Sequence, residues 1–209
     1  MIILPEIFLS LSVLALLLVG PFIRKKGYVI IGYLVLLVLI ISQFFIFKNI
    51  FQFEPIFNGF FVIDSFGSFM KCLLLIGTTV VIYMYLTVNK DNSINQIEFP
   101  ILILISLIGM MFMVSSNDIL SLFLSIELQS LALYILVAFS KEEENSSEAG
   151  VKYFVIGSIS TCIFLFGASL IYGFFGTTNF TEISDALGQT REISLFLIIG
   201  VVFVLVSLS

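Results

Sequence analysis

Residues 28–47 carry Ser42 and Gln43 as their polar relief, and those 20 positions match the ~20 that an α-helix needs to cross the hydrocarbon core of a bilayer. Comparable apolar runs occupy residues 7–23, 60–88, 99–114, 119–139, 149–175 and 193–208, seven in all. In hydrocarbon every backbone N–H and C=O must find its partner within the segment, and a helix does this for each run. The expected fold class is therefore all-α, a polytopic transmembrane helix bundle in one domain over residues 1–209. Composition agrees, with 60% apolar and 11% charged residues against ~25% charged in soluble domains. The polar spacers are too short for an independent core, which takes at least ~50 residues. One run is irregular: residues 60–88 are too long, and too polar at the start, to be a uniform span.

Several classes of function are excluded. The net charge of −5 gathers in part in Glu142, Glu143, Glu144 and Glu148, a solvated acidic loop, and no basic patch offers itself to nucleic acid. Cys72 and Cys162 sit singly within apolar runs and read as packing residues. With no histidine and no clustered thiols, a haem or iron–sulfur site of the chain's own is not expected, so any redox chemistry lies elsewhere. No cleavable signal is expected either. Residues 1–20 lack a basic leading region, and the run after Pro5-Glu6 ends without a small-residue cleavage site.

Against this background the charges inside apolar runs stand out. Glu127 lies in the middle of residues 121–139, eight residues past Ile119 and so roughly 12 Å below the start of its helix. A carboxylate at that depth costs roughly 3 kcal/mol or more to insert and marks a functional position. Ser121, Ser125, Gln129 and Ser130 accompany it, giving the helix a polar face that looks toward protein or water. Asp64 and Lys71, seven residues apart, fall on nearly the same face and could share a polar seam, with Asp64 nearer the interface. Lys152 begins the next run and could pair with Glu127 across consecutive helices. Small residues at Gly150, Gly157, Ser160, Thr161, Gly167 and Ala168 permit close helix approach. Counting loop cations, Arg24, Lys25, Lys26, Lys90 and Lys141 oppose Lys48 and Arg191, which puts the N-terminus on the outer side.

Three segments carry a resemblance: residues 64–71 with Asp64 and Lys71, residues 116–134 with Ile126-Glu127-Leu128-Gln129-Ser130-Leu131-Ala132-Leu133-Tyr134, and residues 148–154 with Glu148 and Lys152, followed by Gly157-Ser158. The chain resembles the N-terminal part of subunit 2 of respiratory complex I, the NADH:ubiquinone oxidoreductase, in its mitochondrially encoded form. The resemblance implies an antiporter-like membrane-arm subunit that contributes to proton translocation. In that family the glutamate matching Glu127 pairs with lysines on a central hydrated axis, and Lys152 matches a second charged position. Electrons do not pass through it: NADH, FMN, iron–sulfur clusters and ubiquinone are used elsewhere in the complex, and this chain binds none of them. The implied location is the mitochondrial inner membrane, with a bacterial plasma membrane as the alternative. The implied partners are other membrane-arm subunits and membrane lipids.

The family's full fold has fourteen helices with two inverted repeats. This chain matches its N-terminal half, and residues 193–209 resemble the start of a broken helix that stops short of the family's proton-carrying lysine. A second chain completing the subunit is therefore expected. Two other readings stay open, a subunit of a free-standing cation/proton antiporter and a structural scaffold without conduction.

Overall fold

The computed structural model describes residues 4–22, 27–49, 54–57, 59–88, 96–140, 143–189 and 194–208. It contains helices α1 (Leu4–Val19), α2 (Gly27–Asn49), α3 (Ser65–Val88), α4 (Glu98–Ser115), α5 (Ile119–Val137), α6 (Glu144–Phe175), α7 (Phe180–Gln189) and α8 (Leu195–Leu208), with strands β1 (Glu54–Ile56) and β2 (Phe61–Ile63) between α2 and α3. Helix α1 with the 3-10 turn that continues it, Gly20–Phe22, and helices α2 to α6 are long and apolar enough to cross a membrane, and α8 is apolar but has only 14 residues. This is the expected membrane helix bundle. The cations used to orient it, Arg24, Lys25, Lys26, Lys90, Lys141 and Arg191, lie outside the described residues, as does Glu142.

Three features differ from the expectation. The irregular start of the run at residue 60 is a strand: β1 and β2 pair antiparallel with Ile56 opposite Phe61, a small β-element within an otherwise all-α fold. The turn between them holds Phe57 and Gly59 at positive φ, and helix 3 begins only after Asp64. Helix α6 starts at Glu144 rather than at 149, because acidic residues in a first turn are favoured by the helix dipole. Its 32 residues extend about 48 Å against a hydrocarbon core of ~30 Å, so its first turns project beyond that core. The polar connection expected at 176–192 contains α7, whose Phe180, Ile183 and Leu187 repeat at helical spacing and line one apolar cavity with α5, α6 and α8. All seven apolar runs are helical, six of them long enough to cross a membrane and the last, α8, shorter.

Packing follows the side-chain periodicity. Leu9, Val13 and Leu16 of α1, Ile31, Val35 and Leu39 of α2, Leu75 and Ile82 of α3, and Leu104, Leu107 and Met111 of α4 form one core. Helices α1 to α4 pack in a ring in chain order, α4 closes it onto α1, and α2 touches α4 across one diagonal. Ile119, Phe164, Ala168, Ile171 and Leu197 form a second core among α5, α6 and α8. Large apolar residues on the outer faces, such as Leu18 of α1 and Phe44 of α2, are exposed, as a lipid-facing surface requires.

A polar knot ties the loops at one end of the bundle. Asp118 caps α5 by accepting from the amides of Leu120 and Ser121, at 2.8 and 3.2 Å, and it also accepts from the Thr178 hydroxyl. The side-chain amides of Asn117 and Asn179 both donate to the Gly59 carbonyl, at 3.0 and 3.1 Å. Asn and Asp suit turns because their short polar side chains bond nearby backbone. Here they join three loops, so the β-hairpin is held against the α4–α5 and α6–α7 connections.

Small residues set the helix separations. A Cβ on Gly167 of α6 would lie 2.7 Å from the Gly200 carbonyl oxygen and 2.9 Å from the Val204 amide of α8. Both obstacles are backbone, so the helices must part. Gly167→Val is expected to destabilise the protein by about 1–3 kcal/mol in thermal unfolding. Gly77→Val serves as the control, since nothing lies within 4 Å of the corresponding Cβ.

Candidate functional site

Glu127 is a half-buried residue in the middle of α5, facing α6. It borders a cavity of about 460 Å³ whose polar lining comes from Gln129, Ser130 and Tyr134 of α5, Tyr153, Ser160 and Thr161 of α6, and Ser207 of α8. Gly157 leaves room for the Tyr134 hydroxyl, which a Cβ at that position would strike. A chamber of this size with this lining holds several waters beside a carboxylate. It is the polar face anticipated from Ser125, Gln129 and Ser130, except that Ser125 is buried and donates to the Ser121 carbonyl at 2.7 Å.

The carboxylate has a switchable partner. The Thr161 hydroxyl donates to Glu127 Oε1, and the same oxygen lies 3.0 Å from the Gly157 carbonyl. A hydroxyl has one proton to donate and two lone pairs to accept with. When Glu127 is ionised, Thr161 donates to it. When Glu127 is protonated, it can donate to Thr161, whose own proton turns to Gly157. Both charge states of Glu127 are therefore accommodated without moving a helix. Thr161→Val removes this bond and is expected to cost about 1.5–3 kcal/mol, the range for hydrogen bonds to charged groups, while Thr161→Ser retains most of it. Paired thermal melts of the two variants read the difference.

The other charges lie elsewhere. Lys152 Nζ pairs with Glu148 Oε1 at 2.5 Å, one turn earlier on α6, and the two side chains are 69% and 62% exposed. The expected Glu127–Lys152 pair is not formed. Lys152 precedes Thr161 by nine residues, about 14 Å along the helix. Nor do Asp64 and Lys71 share a seam. Asp64 stands before α3, and its Oδ1 accepts from the Gly67 amide at 2.6 Å, so it caps the start of the helix rather than lying along it.

Lys71 instead reaches Glu6 of α1, Nζ to Oε1 at 2.5 Å, with side chains 4% and 3% exposed. The pair spans the diagonal of the α1–α4 ring that α2 and α4 leave free. Glu6 is the charged residue that sequence reasoning missed, because an acid in a first turn reads as a dipole-stabilising flank. A signal for it existed. Lys71 has Gly67, Ser68, Leu74 and Leu75 at its three- and four-residue spacings, so its partner had to come from another helix. Helix α4 separates the two charged centres: Met113 lines the Glu127 chamber, while Phe112 and Ser115 face Glu6.

Residues 116–209 match the family described as NADH:quinone oxidoreductase/Mrp antiporter, TM. NADH-quinone oxidoreductase subunit N of Pelagibacter ubique is 43% identical over 208 residues, covering 99% of this chain and 43% of the relative. Subunit N 1 of Rhizobium meliloti is 40% identical over 205 residues, 98% of this chain and 42% of the relative. The chain thus spans less than half the length of these curated relatives. A chain of respiratory complex I from Thermus thermophilus with bound aureothin superposes with a TM-score of 0.76 at 23% identity, covering 98% of this chain and 43% of that one. A chain of the membrane-bound sulfane sulfur reductase, an archaeal respiratory membrane complex, gives 0.79 at 21%, covering 99% and 44%. The described protein is a multi-pass membrane chain with the antiporter-like fold found in respiratory membrane complexes, and almost all of its length is similar to part of NADH-quinone oxidoreductase subunit N.

Proposed function

We propose that this chain is an antiporter-like membrane subunit of an NADH:quinone oxidoreductase and takes part in proton translocation. The observation that carries the reading is Glu127, a protonatable group in the middle of a helix apolar enough to cross a membrane, with a polar chamber and a hydroxyl able to serve either of its charge states. The similarity to subunit N over 99% of the chain supports the choice of complex. Glu127 receives and releases the proton, and Thr161 holds it in position. Lys152, ion-paired with Glu148 one turn earlier on α6, is a second charged position of the same proton network. Asp64 orders the start of α3, and Lys71 belongs to the Glu6 centre. NADH, FMN, iron–sulfur clusters and quinone are bound by other chains of the complex.

The membrane is the mitochondrial inner membrane with the N-terminus facing the intermembrane space. The alternative is a bacterial plasma membrane, which the bacterial relatives favour. The part of those relatives that this chain does not match is expected on a second polypeptide or in a continuation of this one. Neighbouring membrane-arm subunits and lipid cover the exposed apolar faces.

Mild-detergent solubilisation of the native membrane, a native gel stained for NADH dehydrogenase activity, and mass spectrometry of the stained band test this reading. Recovery of this chain in the band, with peptides matching the rest of subunit N, is the expected result. Migration apart from every NADH-oxidising band would reject it in favour of a cation/proton antiporter, the second activity named in the family description.

A further inference from the structure

The Glu6–Lys71 pair leaves one acceptor unused. Oε1 of Glu6 takes the Lys71 ammonium, whereas Oε2 is buried and makes no hydrogen bond among the described residues, in a residue only 2% exposed. A buried carboxylate oxygen without a donor is costly, and native structures satisfy such atoms with water where space allows. Space is present. Glu6 borders a cavity of about 20 Å³ roofed by Ile56, Phe57, Phe61 and Ile63 of the hairpin and walled by Phe112 and Ser115 of α4. That volume admits one water molecule. The buried Ser115 hydroxyl, a long 3.4 Å from the Met111 carbonyl, offers a second polar partner. Of the described residues that touch the carboxyl or line the cavity, Lys71 alone carries an opposing charge.

We propose that Glu6 and Lys71 form a second proton-exchange centre, served by one water bound between Glu6 Oε2 and Ser115 beneath the β1–β2 hairpin. The site is separate from the Glu127 chamber and does not depend on the function proposed for it. Proton uptake breaks an O–H bond of a protonated water and forms Oε2–H, the bonding electrons staying on the water oxygen; release is the reverse. Lys71 Nζ stays hydrogen-bonded to Oε1, so the released carboxylate keeps a partner. The hairpin acts as the cover, and the polar knot at Gly59 holds it down.

Infrared difference spectroscopy of the protein in its native membrane, wild type minus Glu6→Gln, isolates the Glu6 carboxyl signal. Exchange from H2O into D2O then reads its access to water. The expected result is a Glu6 signal that shifts in D2O and does so about tenfold more slowly in Ser115→Val, which fills the cavity and removes the water's second partner. Ile63→Phe fills the same space from the hairpin and is the replacement if Ser115→Val does not assemble. A Glu6 signal that ignores D2O, or one whose exchange is unchanged in the cavity-filling variant, would overturn the proposal and leave a static structural ion pair.

Discussion

Lys71→Leu is expected to destabilise the protein by about 3–5 kcal/mol, while Glu6→Leu with Lys71→Leu recovers most of that loss. The single change leaves Glu6 buried at 2% exposure, deprived of the ammonium at Oε1 and with no protein partner at Oε2 among the described residues. Its choices are an unpaired charge or a protonated acid among Ile and Phe side chains, and either is costly. The double change removes both desolvation penalties together, and leucine fits the diagonal between apolar neighbours. Thermal unfolding of the full chain in lipid nanodiscs measures all three variants and the coupling between them. A single variant within ~0.5 kcal/mol of wild type, the range of ordinary surface substitutions, would mean that the pair is open to solvent in the membrane.

If the proposed function holds, Glu127→Gln is expected to leave assembly and NADH oxidation in place and to lower proton translocation on the order of 100-fold through the path proposed for this chain. Glutamine keeps the shape, the hydrogen bond to Thr161 and the polar chamber, yet it cannot take up and give back a proton at physiological pH. Translocation by reconstituted complex, read as the pH change in vesicles per NADH oxidised, is the direct measurement. Pumping that survives unchanged with assembly intact would support a scaffold role instead. Thr161→Val in the same assay separates positioning from proton carrying: with Glu127 still able to ionise, it should reduce the rate without abolishing it.

The site was legible where chemistry is local to one helix. Glu127 stood out because a carboxylate in a 19-residue apolar helix is expensive wherever that helix lies. Its serine and glutamine neighbours followed from helical spacing. Which charges would meet was not legible. Lys152 looked close to Glu127 in the order of helices, but α6 extends about 48 Å, and the lysine lies about 14 Å along it from the level of Thr161. Asp64 and Lys71 shared a helical face on paper until the strand β2 ended the preceding run and made Asp64 a cap.

The sequence by itself determined the membrane class, the number and place of the apolar segments and the carboxylate at the centre of α5, because hydrocarbon penalises every unsatisfied backbone group and every isolated charge in proportion to length and depth. Only the tertiary structure decided the partners that come from other helices: Thr161 for Glu127 and, 65 residues away, Glu6 for Lys71. Those pairings depend on how the helices cross and how far each slides along its axis. Apolar side chains of similar size leave that slide free, and close contacts such as Gly167 with Gly200 and the knot at Gly59 set it.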